Sequence, residues 1–191
     1  MKIAFTGPRP QNLPGYNFER LTNLAVATLR RTVEVYKVQP EDITAYSGCA
    51  LGWDTACIHA CQYLKLPYIA CVPFQGQESR WHSTDRDLYL KNLTYSKEVV
   101  IVDTLSDYQI TRYDIKGDRY LPVPPGEYNS RKLTQRNRYM VDQLTIGDVL
   151  IALLNPRNPS SGTKYCVDYA VSKGVKIINV WNSWEKYSVS N

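Results

Sequence analysis

Six short apolar runs rich in β-branched residues recur along the chain with helical patterns between them, and this alternation narrows the fold more than any other feature. The runs are Lys2 to Thr6, Ile43 to Ser47, Tyr68 to Val72, Glu98 to Asp103, Val149 to Leu154 and Lys176 to Val180. Their length and composition suit buried strands. Between the first two lies the clearest helix, Asn17 to Tyr36, where Phe18, Leu21, Ala25, Leu29, Val33 and Tyr36 return at steps of three and four and form one apolar face. Further helical patterns cover Trp53 to Leu64, Ser79 to Leu93, Arg131 to Leu144 and Thr163 to Lys173. Strands that alternate with helices build βαβ units, so the expected fold is α/β: a doubly wound parallel sheet with helices on both faces.

A chain of 191 residues fits one domain with a sizeable core. One stretch interrupts the alternation. Thr104 to Ser130 holds Tyr108, Tyr113, Tyr120, Pro122, Pro124 and Pro125, and reads as an insertion, either a lid or a small extra hairpin. No run approaches the roughly 18 apolar residues of a membrane span. The opening MKIAFTG stops too soon for a signal-peptide core, so a cytoplasmic protein with no membrane partner is expected. Five cysteines in scattered apolar contexts point to reduced thiols. Cys57 and Cys61 could share a helix face, but no His/Cys pair at zinc spacing follows, so neither a metal nor a cofactor is expected. The net charge of +5 favours anionic ligands, although the basic residues are dispersed.

In open parallel sheets, ligands meet the loops that leave the carboxyl ends of the strands. Here those loops carry glycine and hydroxyl residues: Thr6-Gly7-Pro8-Arg9-Pro10 after the first strand, Ser47 to Asp54 after the second, and Ser160 to Thr163 ahead of the last long helix. Gly48 and Gly52 allow tight turning and close approach of backbone to a ligand, with Ser47 as a donor. Alternatively the glycines only serve the turn and Asp54 only caps its helix. Arg9 either reaches a phosphate or carboxylate or is a solvated surface arginine. Phe74, Gln77 and Glu78, with Trp81 nearby, offer aromatic faces, an amide and a carboxylate for a base, or simply a loop that caps its own helix. On the helix after the insertion, Asn137 shares a stripe with Leu133, Met140 and Leu144 and is expected to point inward. Arg136 is the expected ligand contact there.

In order, Thr6 to Pro10, Ser47 to Asp54, Pro73 to Trp81, Gly126 to Tyr128 and Arg136 to Asp142 resemble the YpsA-like branch of the SLOG superfamily, which includes the DprA core and the LOG phosphoribohydrolases. The resemblance spans about residues 1 to 182. It implies a Rossmann-like sheet with a nucleotide pocket, and its ligand-binding set becomes Thr6, Gly7, Arg9, Ser47, Gly48, Ala50, Gly52, Asp54, Phe74, Gln77, Glu78, Tyr128, Arg136, Asn137, Ser161, Gly162 and Thr163. The LOG enzymes carry a PGGxGTxxE loop. The matching stretch here runs from Asn158 to Cys166, and Cys166 stands at the glutamate position. A thiol is a poor substitute for a carboxylate at a glycosidic centre.

The leading functional expectation is therefore capture of a nucleotide or nucleotide-derived signal, ADP-ribose-like molecules included, for sensing or sequestration. A nucleoside-monophosphate N-glycosidase, with Glu78 as its catalytic carboxylate, is the alternative. Single-stranded DNA binding as in DprA comes third, and would place basic and aromatic residues along one groove. Apolar helix faces left exposed would make the chain a homo-oligomer.

Overall fold

The computed structural model describes residues 1–158 and 161–189. Strands β1 (Lys2–Thr6), β2 (Thr44–Ser47), β3 (Tyr68–Val72), β4 (Glu98–Ile101), β7 (Val149–Ala152) and β8 (Lys176–Asn179) form one sheet, in the order β4-β3-β2-β1-β7-β8. Every neighbouring pair in that sheet is parallel. Successive side chains of a strand point to opposite faces, and β1 divides its residues accordingly. Ile3 and Phe5 enter a core with α1 (Phe18–Tyr36), α2 (Trp53–Tyr63) and α6 (Trp181–Val189), whereas Ala4 enters a second core with α4 (Ser130–Asp142) and α5 (Gly162–Ser172). Helix α3 (Ser83–Thr94) joins the first core through Tyr89. This is the expected Rossmann-like α/β architecture, helices on both faces of a six-stranded sheet.

Three departures have local causes. Helix α3 starts at Ser83 and not at Ser79, because Ser79 N donates to Gly76 O and Trp81 N to Glu78 O in tight turns first. The short helix α6 has no counterpart in the sequence reading; burial of Trp181 and Trp184 against the first core holds it, a tertiary effect stronger than local pattern. Within 104–130, β5 (Thr111–Asp114) and β6 (Arg119–Pro122) pair as an antiparallel hairpin outside the main sheet. An isolated hairpin is marginal in water, and this one is tied at its base, where Val123 N donates to Ile110 O at 2.9 Å and both residues are buried. No helix among the described residues is long and apolar enough to cross a membrane.

Candidate functional site

The strand order reverses direction at β1, which has β2 on one side and β7 on the other. Loops leaving the carboxyl ends of β1 and β7 therefore diverge and open a crevice, the usual ligand position in such sheets. On the β1 side, most of the loop glycines make room for the protein's own groups. A Cβ on Gly7 would lie 2.5 Å from the Trp53 side chain, and Gly52, at φ +93°, brings its Cα so close that a Cβ would lie 2.6 Å from the Pro8 carbonyl oxygen. Trp53 N donates to that carbonyl, so the first two loops are knitted together. Gly48 is filled in the same way: a Cβ there would sit 1.6 Å from Arg136 Nη1.

Arg136 is the pivot of this corner. Its Nη1 donates to Gly48 O and lies 3.7 Å from Asp54 Oδ2, while its Nε donates to Asn137 Oδ1 at 2.9 Å. Both members of the ion pair are buried. Asp54 also accepts from Ala50 N at 3.3 Å, and Ser47 is occupied within the loop, accepting from Cys49 N and donating to Asp54 O. Burial raises the Asp54 carboxyl above its ordinary value, with Arg136, the Ala50 amide and Arg9 pulling back. Burial likewise pushes the Cys49 thiol up to about 12 and the Cys166 thiol up to about 11, the latter despite a hydrogen bond to Thr6 and the charge of Arg136. Neither is a thiolate near neutral pH, so neither supplies a ready nucleophile.

Facing this packed wall is a cavity of about 220 Å³ lined by Thr6, Gly7, Pro8, Arg9, Asn12, Ala50, Asp54, Leu133, Arg136, Asn137, Leu153, Asn155, Asn158, Ser161, Gly162 and Thr163. Ser161 caps α5 by accepting from Lys164 N at 3.0 Å. The first-turn N–H groups of Gly162 and Thr163 precede any intrahelical acceptor and carry the positive end of the helix dipole. Gly162 differs from the other crevice glycines, since a Cβ there would meet nothing within 4 Å among the described residues. Pro159 and Ser160 lie outside the described residues.

Of the residues singled out from the sequence, Thr6, Gly7, Arg9, Ala50, Asp54, Arg136, Asn137, Ser161, Gly162 and Thr163 share this one cavity. Ser47, Gly48 and Gly52 stand behind it and shape its wall. Phe74, Gln77, Glu78 and Tyr128 are not among its lining residues. Phe74 and Tyr128 form a separate patch, meeting edge to face with ring centroids 5.7 Å apart, and Arg80 lies over the Tyr128 ring. Glu78 sits half-buried in the turn ahead of α3. Three lining amides went unread in the sequence: Asn12, Asn155 and Asn158. Asn155 and Asn158 follow β7 directly, so the strand-end rule applied to that loop would have found them. The inward stripe of α4 also differs, being Lys132, Arg136 and Met140, with Leu133 and Asn137 turned toward the cavity.

No family model matches the sequence. An uncharacterized SPbeta prophage-derived protein, YoqJ, from Bacillus subtilis (strain 168) is 28% identical over 129 residues, covering 65% of this chain and 67% of that protein. Among solved structures, DNA processing protein A (DprA) from Streptococcus pneumoniae superposes with a TM-score of 0.57 at 15% identity over 92% of this chain. The chain spans 48% of the DprA structure's length. At that identity the likeness establishes a DprA-type Rossmann-like fold.

Chemically, the crevice offers one cation at its mouth, Arg9, a second behind it already matched by Asp54, several amides, and a helix start. That combination suits an anion carried on a polar, hydroxyl-rich body. Asp54 is the single carboxylate on the cavity wall among the described residues.

Proposed function

We propose that the chain binds a nucleotide or nucleotide-derived ligand in the crevice between β1 and β7, as a YpsA-like member of the SLOG superfamily. The carrying observation is the side of Gly162 left open among the described residues at the start of α5, in the cavity that Arg9 also lines. A helix start of this kind holds phosphate through backbone N–H groups and dipole, and the amides of Asn12, Asn137 and Asn155 match ribose hydroxyls. At about 220 Å³ the cavity is below the roughly 300 Å³ at which typical ligand pockets begin. A phosphate and its sugar would occupy it, with the base outside toward solvent. The fold shared with a DNA processing protein supports nucleotide chemistry of this kind.

A second reading is hydrolysis of the glycosidic bond, favoured by one observation: Asp54 lies on the cavity wall with its carboxyl raised above the ordinary value by burial. A carboxyl of that kind can donate a proton to a leaving base. In this reading Asp54, and not Glu78, supplies the acid.

Calorimetric titration with adenosine monophosphate and ADP-ribose, with chromatography of the same mixtures for free base, tests both. Gly162→Ala leaves the fold intact and weakens binding by about tenfold or more, equal to ~1.4 kcal/mol. Equal affinity in wild type and Gly162→Ala would overturn the placement of the phosphate. Free base that persists in Asp54→Asn would exclude Asp54 as the acid.

A further inference from the structure

A cavity of about 380 Å³ lies where α1, β8 and the start of α6 meet, and it shares no lining residue with the crevice. Its volume falls in the range of small-molecule sites, roughly 300–1,000 Å³. One wall is a stripe of α1, with Leu24, Ala27, Arg31 and Val35 at steps of three and four. The floor is Lys176 and Ile178, two residues apart on one face of β8, an edge strand of the sheet. Thr28 and Thr32 also line it, but Thr28 Oγ1 donates to Leu24 O at 2.7 Å and Thr32 Oγ1 to Thr28 O at 2.9 Å, so their donors are spent within the helix. The body of the slot is therefore apolar.

Its ends differ in chemistry. At one end Lys176 Nζ lies 5.1 Å from the centre of the Tyr36 ring, a contact that joins β8 to the last turn of α1. The Tyr36 hydroxyl is buried without a hydrogen-bond partner among the described residues. Such a group, out of water and uncompensated, favours any acceptor that reaches it. Among the described residues, no carboxylate lines the cavity and none lies within ion-pair distance of Lys176. Arg31 adds a second positive charge; its contact with Glu34, at 3.5 Å between side chains 76% and 66% exposed, is worth little in water. At the other end stands Ser183 of α6.

We propose that this slot binds a small organic acid, its apolar chain laid between α1 and β8 and its carboxylate paired with Lys176 and accepting from Tyr36 Oη. Cations without a carboxylate of their own select an anion, and the apolar walls select a hydrocarbon body over a sugar or a free phosphate. A slot bounded by the contact of Lys176 with Tyr36 at one end and by α6 at the other suits a molecule that ends there. A polypeptide strand would have to run on past both ends. The site is distinct from the crevice and does not depend on what the crevice holds.

The test titrates the full chain, its isoleucine methyl groups labelled for magnetic resonance, with octanoate, octan-1-ol and octylammonium. Octanoate shifts the Ile178 methyl signal saturably and binds about tenfold or more tighter than the alcohol or the amine, the worth of one charge-assisted hydrogen bond. Lys176→Met, which keeps an apolar stem, weakens octanoate by about tenfold and leaves octan-1-ol within about twofold. Tyr36→Phe weakens octanoate about fivefold, yet does not lower the melting temperature of the free chain, where the hydroxyl has no partner among the described residues. Ala27→Trp, on the exposed surface of α1, fills the slot and abolishes the shift at an unchanged melting temperature. No saturable shift at Ile178, octylammonium bound as tightly as octanoate, or wild-type affinity in Ala27→Trp would each overturn the proposal. An Ile178 shift that follows protein concentration without octanoate would also overturn it, by giving the slot to a second copy of the chain.

Discussion

Helix α4 turns two cations toward the core and two toward solvent, and the difference shows what a buried charge contributes to this protein. Lys132 and Arg136 have side chains 1% and 7% exposed, and each meets a buried carboxylate: Lys132 Nζ donates to Asp103 Oδ2 at 2.7 Å, and Arg136 lies against Asp54. Arg131 and Arg138 on the outer side meet no carboxylate among the described residues. Burying an ion pair returns little net stability, because desolvation offsets most of the attraction. The inner pairs instead fix position. Arg136 pins the loop after β2 through Gly48 O, while Asp103 and Lys132 hold the returning arm of the insertion through Gly126 N and Pro124 O. The outer arginines make no such buried pair, and among the described residues Arg138 meets only the Tyr165 hydroxyl and the rings of Tyr165 and Tyr169.

The largest expected effect comes from opening an inner pair. Arg136→Ala leaves the buried Asp54 carboxyl without its partner, and should cost about 3–5 kcal/mol in urea denaturation. Gly48→Ala should act in the same direction, since its methyl group occupies the guanidinium's place. Lys132→Ala should cost a similar amount, about 3–5 kcal/mol, and also loosen the insertion, read as faster proteolysis within residues 104–130. Equal proteolysis in wild type and Lys132→Ala would mean that the hairpin base holds the insertion without the pair.

A smaller effect concerns pH. The folded Asp54 carboxyl sits above its unfolded value, so the folded state binds the proton more tightly. Its contribution to stability is present below the unfolded value of 3.8 and is lost as pH rises toward the folded one. The stability of wild type relative to Asp54→Asn should therefore decline from mildly acid to neutral conditions. A difference that grows with pH would show that Arg136 outweighs burial. Smallest of all, Arg131→Ala and Arg138→Ala should each change stability by less than about 0.5 kcal/mol; a loss near that of Arg136→Ala would erase the contrast between the two faces.

The strands were legible because each is an apolar run ended by glycine, proline or polar residues, and predicted and observed bounds differ little: Ile43 to Ser47 became Thr44–Ser47, and Val149 to Leu154 became Val149–Ala152. The inner cations were not. Arg136 reads as a ligand contact and nothing in the local pattern singles out Lys132; what buries both is chemistry distant in the chain, Gly48 lying 88 residues from Arg136 and Asp103 29 from Lys132. The glycines illustrate the same limit. A loop glycine signals that something approaches closely, but the sequence does not say whether the visitor is a ligand or, as at Gly7 and Gly48, a tryptophan or an arginine of the protein itself.

The order of strands also bears on how the molecule is made. β1 is central, yet its partner β7 begins at Val149, and Lys2 N donates to the carboxylate of Asp148, 146 residues away. During synthesis the first strand leaves the ribosome long before one of its two neighbours exists, and its apolar edge must wait, open to mispairing. The crevice waits with it, because its far wall is α5. A nascent or truncated chain that stops short of α5 would thus lack the wall formed by Ser161, Gly162 and Thr163.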